Sequence, residues 1–120
     1  MTTTMAIDFK DQDQGRGYTF RGAEHGGVPV SVIVDRSRPG EGPALHRHPY
    51  DEVWIVEQGE VTFTAGDREL TGRAGTVLAV PAGEFHGFKN TGTMQLQMIC
   101  IHTRAQIETE WLEPRDPAAS

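Results

Sequence analysis

From residue 18 onward the chain is a succession of short β-rich runs, each cut off by Gly, Pro or Asp, over 18–21, 28–35, 52–57, 61–65, 68–70, 76–80, 85–89 and 96–102. No stretch in the middle of the chain keeps a helical apolar period for the ten or more residues that a packed helix needs, so an alternating strand and helix pattern is excluded. The expected class is all-β, a sandwich or a barrel. Two turns stand out by composition: Gln58 with Gly59, and Ala65, Gly66 and Asp67, each flanked by strand-forming residues and expected to close a hairpin. Residues 1–17 are polar and are expected to be a flexible arm or lead-in, followed by the β domain over 18–103. Residues 104–120 are expected to form a tail packing on that domain or on a dimer partner, with Trp111 and Leu112 as its large apolar pair and Pro114 and Pro117 ending regular structure.

A chain of 120 residues affords one compact core. The net charge of -6 and the absence of any basic run argue against a nucleic-acid partner, which calls for clustered Lys and Arg. No apolar block of signal-peptide or bilayer-spanning length is present, so a cytoplasmic, non-membrane protein is expected. With Cys100 as the single cysteine, no intrachain disulfide can form, which suits a reducing compartment.

Chemistry concentrates between Gly40 and Gly59, where His46 and His48 stand two apart and Glu52 follows four later. On a strand, residues i and i+2 project to one face, so the two imidazoles can converge on one ion. Pro49, Tyr50 and Asp51 let the chain reverse before Glu52 opens another strand. Downstream, the turn at Pro81, Ala82 and Gly83 delivers His86 as a fourth ligand. Three neutral imidazoles and one carboxylate leave a divalent ion with net charge +1 and suit iron, manganese, nickel, cobalt or zinc. Magnesium and calcium prefer more oxygens.

These two segments resemble the paired motifs of the cupin superfamily at every fixed position. The first runs through Gly40, His46, His48, Glu52 and Gly59, and the second through Gly75, Pro81, Gly83, His86 and Asn90. The resemblance implies a small single-domain metal-binding cupin with an antiparallel jelly-roll β-barrel, also called a double-stranded β-helix. The four glycines are most simply turn residues.

Period-two alternation puts Trp54 and Val56 on the face of Glu52, and Phe88 on that of His86. In the last run Leu96, Met98, Cys100 and His102 share the face expected to point inward, so Trp54, Phe88, Met98, Cys100 and the neighbouring Tyr50 are the expected substrate pocket. Cys100 is more simply a small buried hydrophobe than a metal neighbour. Arg36 and Arg38 are candidates to anchor a substrate carboxylate, with a solvated strand edge as the plainer reading. His25 and His102 lack a ligand-type partner nearby in sequence and are read as exposed or structural.

Two functions follow from the resemblance. One is a metal-dependent enzyme, an oxygenase, isomerase or lyase, acting on a small anionic or enolisable molecule, with Glu52 as ligand first and either Glu52 or a metal-bound hydroxide as the base. The other is a non-catalytic small-molecule-binding or sensor barrel. The chain leaves no residues for a helical DNA-binding domain, which disfavours a stand-alone transcription factor, and a homodimer paired through strand edges is expected.

Overall fold

The computed structural model describes residues 3–112. Ten strands follow one another: β1 (Gly17–Arg21), β2 (Ser31–Ser37), β3 (His46–Arg47), β4 (Glu52–Gln58), β5 (Glu60–Ala65), β6 (Arg68–Arg73), β7 (Val77–Val80), β8 (His86–Asn90), β9 (Leu96–His102) and β10 (Glu110–Trp111). They form two five-stranded antiparallel sheets, ordered β1-β2-β9-β4-β7 and β10-β3-β8-β5-β6. This is the jelly-roll architecture. Among the described residues no helix is long and apolar enough to cross a membrane.

Alternation builds the core. Along β4 the residues Glu52, Trp54 and Val56 are buried, and along β9 so are Leu96, Met98, Cys100 and His102. Residues two apart face one side of a strand, so both strands present an apolar face inward. Leu78 and Val80 of β7 complete that layer, and Val61, Phe63 and Ala65 of β5 meet it from the other sheet. The ring of Trp54 stands edge-on to Phe63 with centroids 4.7 Å apart, the geometry favoured by aromatic quadrupoles.

Four local outcomes differ from the sequence reading. The run expected over 28–35 starts later, because the amide of Val30 folds back onto the Val28 carbonyl at 2.8 Å around Pro29, and the strand opens at Ser31. The run expected over 68–70 continues to Arg73, in unbroken register with β5. An edge strand needs a partner on one side only, so its polar residues tolerate exposure. Gln58 and Gly59 do not close a hairpin, since β4 pairs with β7 and β9 while β5 pairs with β6 and β8. The chain passes there from one sheet to the other, after a register shift between Val56 and Gln58 and through Gly59 at φ +88°. Ala65, Gly66 and Asp67 do close a hairpin, between β5 and β6.

The two-residue strands β3 and β10 are the fourth difference. Glu110 and Trp111 pair with Arg47 and His46, so the segment after β9 packs on the barrel as an added strand. The N-terminal segment also docks: Phe9 stacks on Tyr18 at 5.0 Å, and Asp13 pairs with the Arg36 guanidinium. Pro114 and Pro117 lie outside the described residues.

Candidate metal centre

The centre is assembled from two cross-strand pairs facing each other between the sheets. Glu52 of β4 lies directly opposite His102 of β9, and His46 of β3 directly opposite His86 of β8. His48 joins them from the loop after β3. That loop is held at three points: the Gly83 amide donates to the His48 carbonyl at 2.9 Å, the Ala82 amide to Asp51 Oδ1 at 2.9 Å, and the Thr103 hydroxyl to the Asp51 carbonyl at 2.8 Å. Gly83 adopts φ +83° in doing so, a backbone state that L side chains resist. All five side chains are buried.

Each imidazole is oriented by its far nitrogen. Nδ1 of His46 donates to the Ala44 carbonyl at 2.8 Å, Nδ1 of His86 to the Glu84 carbonyl at 2.8 Å, and Nδ1 of His48 to the Glu108 carbonyl at 2.7 Å. With the proton on Nδ1, the Nε2 lone pair turns to the interior, as in metal-binding histidines whose outer partner sets the tautomer. His48 Nε2 and His86 Nε2 then come within 3.3 and 3.2 Å of Glu52 Oε1. None of these three buried atoms has a hydrogen-bond partner among the described residues. Buried polar atoms left unpaired cost about 1–3 kcal/mol each, and three electron-rich atoms crowded together repel one another. A cation between them answers both problems. The donor set of His46, His48, His86 and Glu52 therefore fits a divalent metal ion, with all three imidazole donors mutually within 4.8 Å.

The electrostatics agree. Burial alone would raise the carboxyl of Glu52, but the imidazoles of His102, His48 and His86 hold its pKa far below the usual carboxylate range. Burial lowers His46 to about 4 and keeps it neutral, as a metal ligand must be. For His48 burial works in the same direction, yet Glu52 and the Glu108 carbonyl carry its pKa above the ordinary value. Cys100 is almost wholly buried and its thiol is pushed well above its ordinary pKa by burial, then by the charges of Glu52 and Asp35.

The sequence reading sets His102 aside as exposed or structural; the structure buries it in the centre, 2% exposed. Its Nε2 lies 3.0 Å from Glu52 Oε2, while Tyr50 donates its hydroxyl to His102 Nδ1 at 2.7 Å and accepts the Glu108 amide at 3.3 Å. Protons thus run one way along this chain, which places a hydrogen on His102 Nε2 and makes it a donor to Glu52. Burial raises Tyr50 to about 12, keeping the phenol protonated. The signal was present in the alternation of β9, which already aims residue 102 inward.

Beside the centre opens a cavity of about 890 Å³. Trp54, Phe88 and Cys100 line it, as do Ile33, Asp35 and Ser37 of β2 and Ile107 and Thr109 of the returning segment. Met98 lies in the core behind this wall and Tyr50 behind His48 and His102. Arg36 turns to the outside, bonding Asp13 and Gln97, and Arg38 is exposed; the arginine at the cavity is Arg16. His25 is half-buried, stacked on Phe20 at 5.0 Å.

The cupin-domain family matches residues 34–102, more than half of the chain. The chain belongs to the cupin family. Auxin-binding protein 1 of Arabidopsis thaliana is 28% identical over 107 residues, covering 78% of this chain and 54% of its own. Protein SchB of Streptomyces halstedii is 33% identical over 82 residues, covering 68% and 56%. The chain spans about half the length of these curated relatives. A solved oxalate decarboxylase of Bacillus subtilis, described by its Mn(II) centers, superposes with a TM-score of 0.74 at 21% identity, over 80% of this cupin and 27% of that chain. That likeness is one of fold.

Proposed function

We propose that this cupin holds one divalent transition metal, iron, manganese, nickel, cobalt or zinc, through Nε2 of His46, His48 and His86 and Oε1 of Glu52, and acts as an enzyme on a small anionic or enolisable molecule in the adjacent cavity. The observation that carries the reading is the trio of buried, unpartnered atoms, His48 Nε2, His86 Nε2 and Glu52 Oε1, gathered about one point. The metal would supply Lewis-acid polarisation of substrate oxygens. The chain's own residues do the rest. Carbonyls of Ala44, Glu84 and Glu108 fix the imidazoles, His102 holds the outer oxygen of Glu52, and Trp54 and Phe88 form an apolar wall that excludes water from one side of the bound molecule. The reaction class is an oxygenase, isomerase or lyase.

A second reading, a binding or sensor barrel without turnover, is favoured by the name of the auxin-binding relative. Protein purified without added metal, analysed for its elements and then assayed for dioxygen consumption and substrate loss over a panel, separates the two, with His86→Ala as control. Bound metal with turnover supports the enzyme; binding without turnover across the panel supports the sensor. Failure to take up metal at stoichiometric loading removes the metal-dependent enzyme and leaves the binding barrel. The reading also includes a cytoplasmic homodimer, for which β7 supplies an edge strand carrying Val77, 61% exposed.

A further inference from the structure

The inward face of the first sheet is laid out in rows, because β2, β9 and β4 pair in register, and the cavity opens on part of that face. Ser31, His102 and Glu52 form one row, Ile33, Cys100 and Trp54 the next, and Asp35, Met98 and Val56 the third. The first row carries the metal centre and the second is apolar. The third ends in a carboxylate that the centre does not use. From His102 to Met98 is four residues of extended chain, about 13 Å of strand.

Asp35 is an unusual residue to find on an inward face. It lines the cavity together with Ser37, two residues along the same strand, whose hydroxyl donates to Asp35 Oδ2 at 2.6 Å. No described residue donates to Oδ1. The nearby cations are engaged elsewhere: Arg16 pairs with Glu41 at 3.0 Å, and Arg36, next in sequence, faces out to Asp13 and Gln97. Burial raises the carboxyl's pKa; the Ser37 hydroxyl and the field of Arg16 oppose that rise, and Glu41 adds to it. Asp35 is half-buried, and its Oδ1 is not among the fully buried atoms, so a donor on a ligand in the cavity has access to it. Asp35, Cys100 and Glu52 all line this one cavity, so the two carboxylates border the same space.

We infer that Asp35 and Ser37 form a second polar pole of the cavity, and that the ligand is an elongated molecule with a flat apolar body, an oxygen pair at the end facing the metal centre and a hydrogen-bond donor at the other. The inference rests on the metal reading of His46, His48, Glu52 and His86 and names the ligand class that this site takes. The middle row fits the apolar body: Ile33 and Trp54 line the cavity there, and Phe88 of the opposite sheet, packed edge-on to Trp54 with centroids 4.8 Å apart, continues the same apolar wall. Asp35 then distinguishes ligands by their far end, through a charge-assisted bond that a purely apolar molecule lacks.

Two probes test this: 4-phenylcatechol, which carries the oxygen pair and the apolar body, and its 4′-aminomethyl derivative, which adds the donor. Each is titrated calorimetrically into protein loaded with zinc, which is redox-inert, after the zinc stoichiometry has been measured. The aminomethyl probe is expected to bind about tenfold tighter or more, the range of a buried hydrogen bond to a charged group. Asp35→Asn, close to isosteric, and Ser37→Ala as a second variant are expected to reduce that advantage while leaving 4-phenylcatechol and zinc binding as in the wild type. Equal affinity of the two probes for wild type, or an advantage that survives Asp35→Asn, overturns the inference while the metal centre stands. Failure of the wild type to take up zinc overturns the metal reading and this inference with it.

Discussion

Glu52 and His102 sit opposite each other in continuous seven-residue strands, whereas His46 and His48 come from a two-residue strand and the loop behind it. The first pair is placed by the sheet itself: ladder hydrogen bonds fix the backbone and the pleat aims both side chains inward. The second pair is placed by what leans on it. His46 is backed by Trp111, with ring centroids 4.9 Å apart, and His48 by the Glu108 carbonyl, both contributed by the segment that returns after β9. One half of the centre is thus prebuilt, and the other is clamped.

The sharpest way to test the prebuilt half is Glu52→Ala. It removes the anionic donor and is expected to lower metal affinity by more than ~100-fold, beyond the range for losing an outer partner. Competition against a chelator measures it, and a loss under tenfold would break the ligand assignment. For the clamped half, a stop codon after residue 106 removes the Glu108 carbonyl and β10 while leaving the two central sheets. Metal affinity is expected to fall about 10- to 100-fold with the far-UV circular dichroism of the barrel retained. Unchanged affinity would show that β3 needs no clamp.

The two imidazoles of the clamped half also titrate in opposite directions in metal-free protein. His46, depressed to about 4 from an ordinary 6.5, contributes stability that is present above pH 6.5 and lost as pH falls toward 4. His48, raised, contributes stability that is full below pH 6.5 and lost as pH rises through its folded value. The carboxyl of Glu52, depressed, adds stability that is present above its ordinary 4.5 and lost at still lower pH. Thermal melts in EDTA are therefore expected to show wild type losing stability between pH 6.5 and 4 more steeply than His46→Gln, by roughly 2 kcal/mol. Parallel curves would refute the assignment.

The smallest effect belongs to His102. Replacing it by Leu leaves Glu52 Oε2 without its donor and is expected to weaken metal binding about tenfold, with Gln, which retains an N–H donor, recovering part of the loss. Loss of one imidazole nitrogen from the pulsed-EPR signal of the Mn(II)-loaded His102→Leu protein would instead make His102 a ligand.

The same contrast explains how much was legible in the chain. Alternation along β4 and β9 shows which residues face inward, so Trp54, Cys100 and the motif ligands could be placed from sequence. Yet the pairing that brings His102 against Glu52 spans 50 positions, and no local pattern reports it. Two-residue strands carry no period: the spacing of His46 and His48 suggested a strand, but not that it ends at Arg47 and leaves His48 in the loop, and β10 was invisible as a strand although Trp111 was conspicuous. A turn at Gln58 and Gly59 looks alike whether it closes a hairpin or passes between sheets, because partner choice is decided by distant strands. Asp35 reads as the polar end of a run; only the register of β2 on β9 turns it inward.

The pairing of β10 with β3 also has a temporal side. During synthesis the motif ligands emerge in order from residue 46 to residue 86, but the carbonyl of Glu108 and the ring of Trp111 follow last. A nascent chain that has emerged only to residue 106 holds its histidines without their clamp, so tight metal capture would wait until residues 108–111 have joined the barrel.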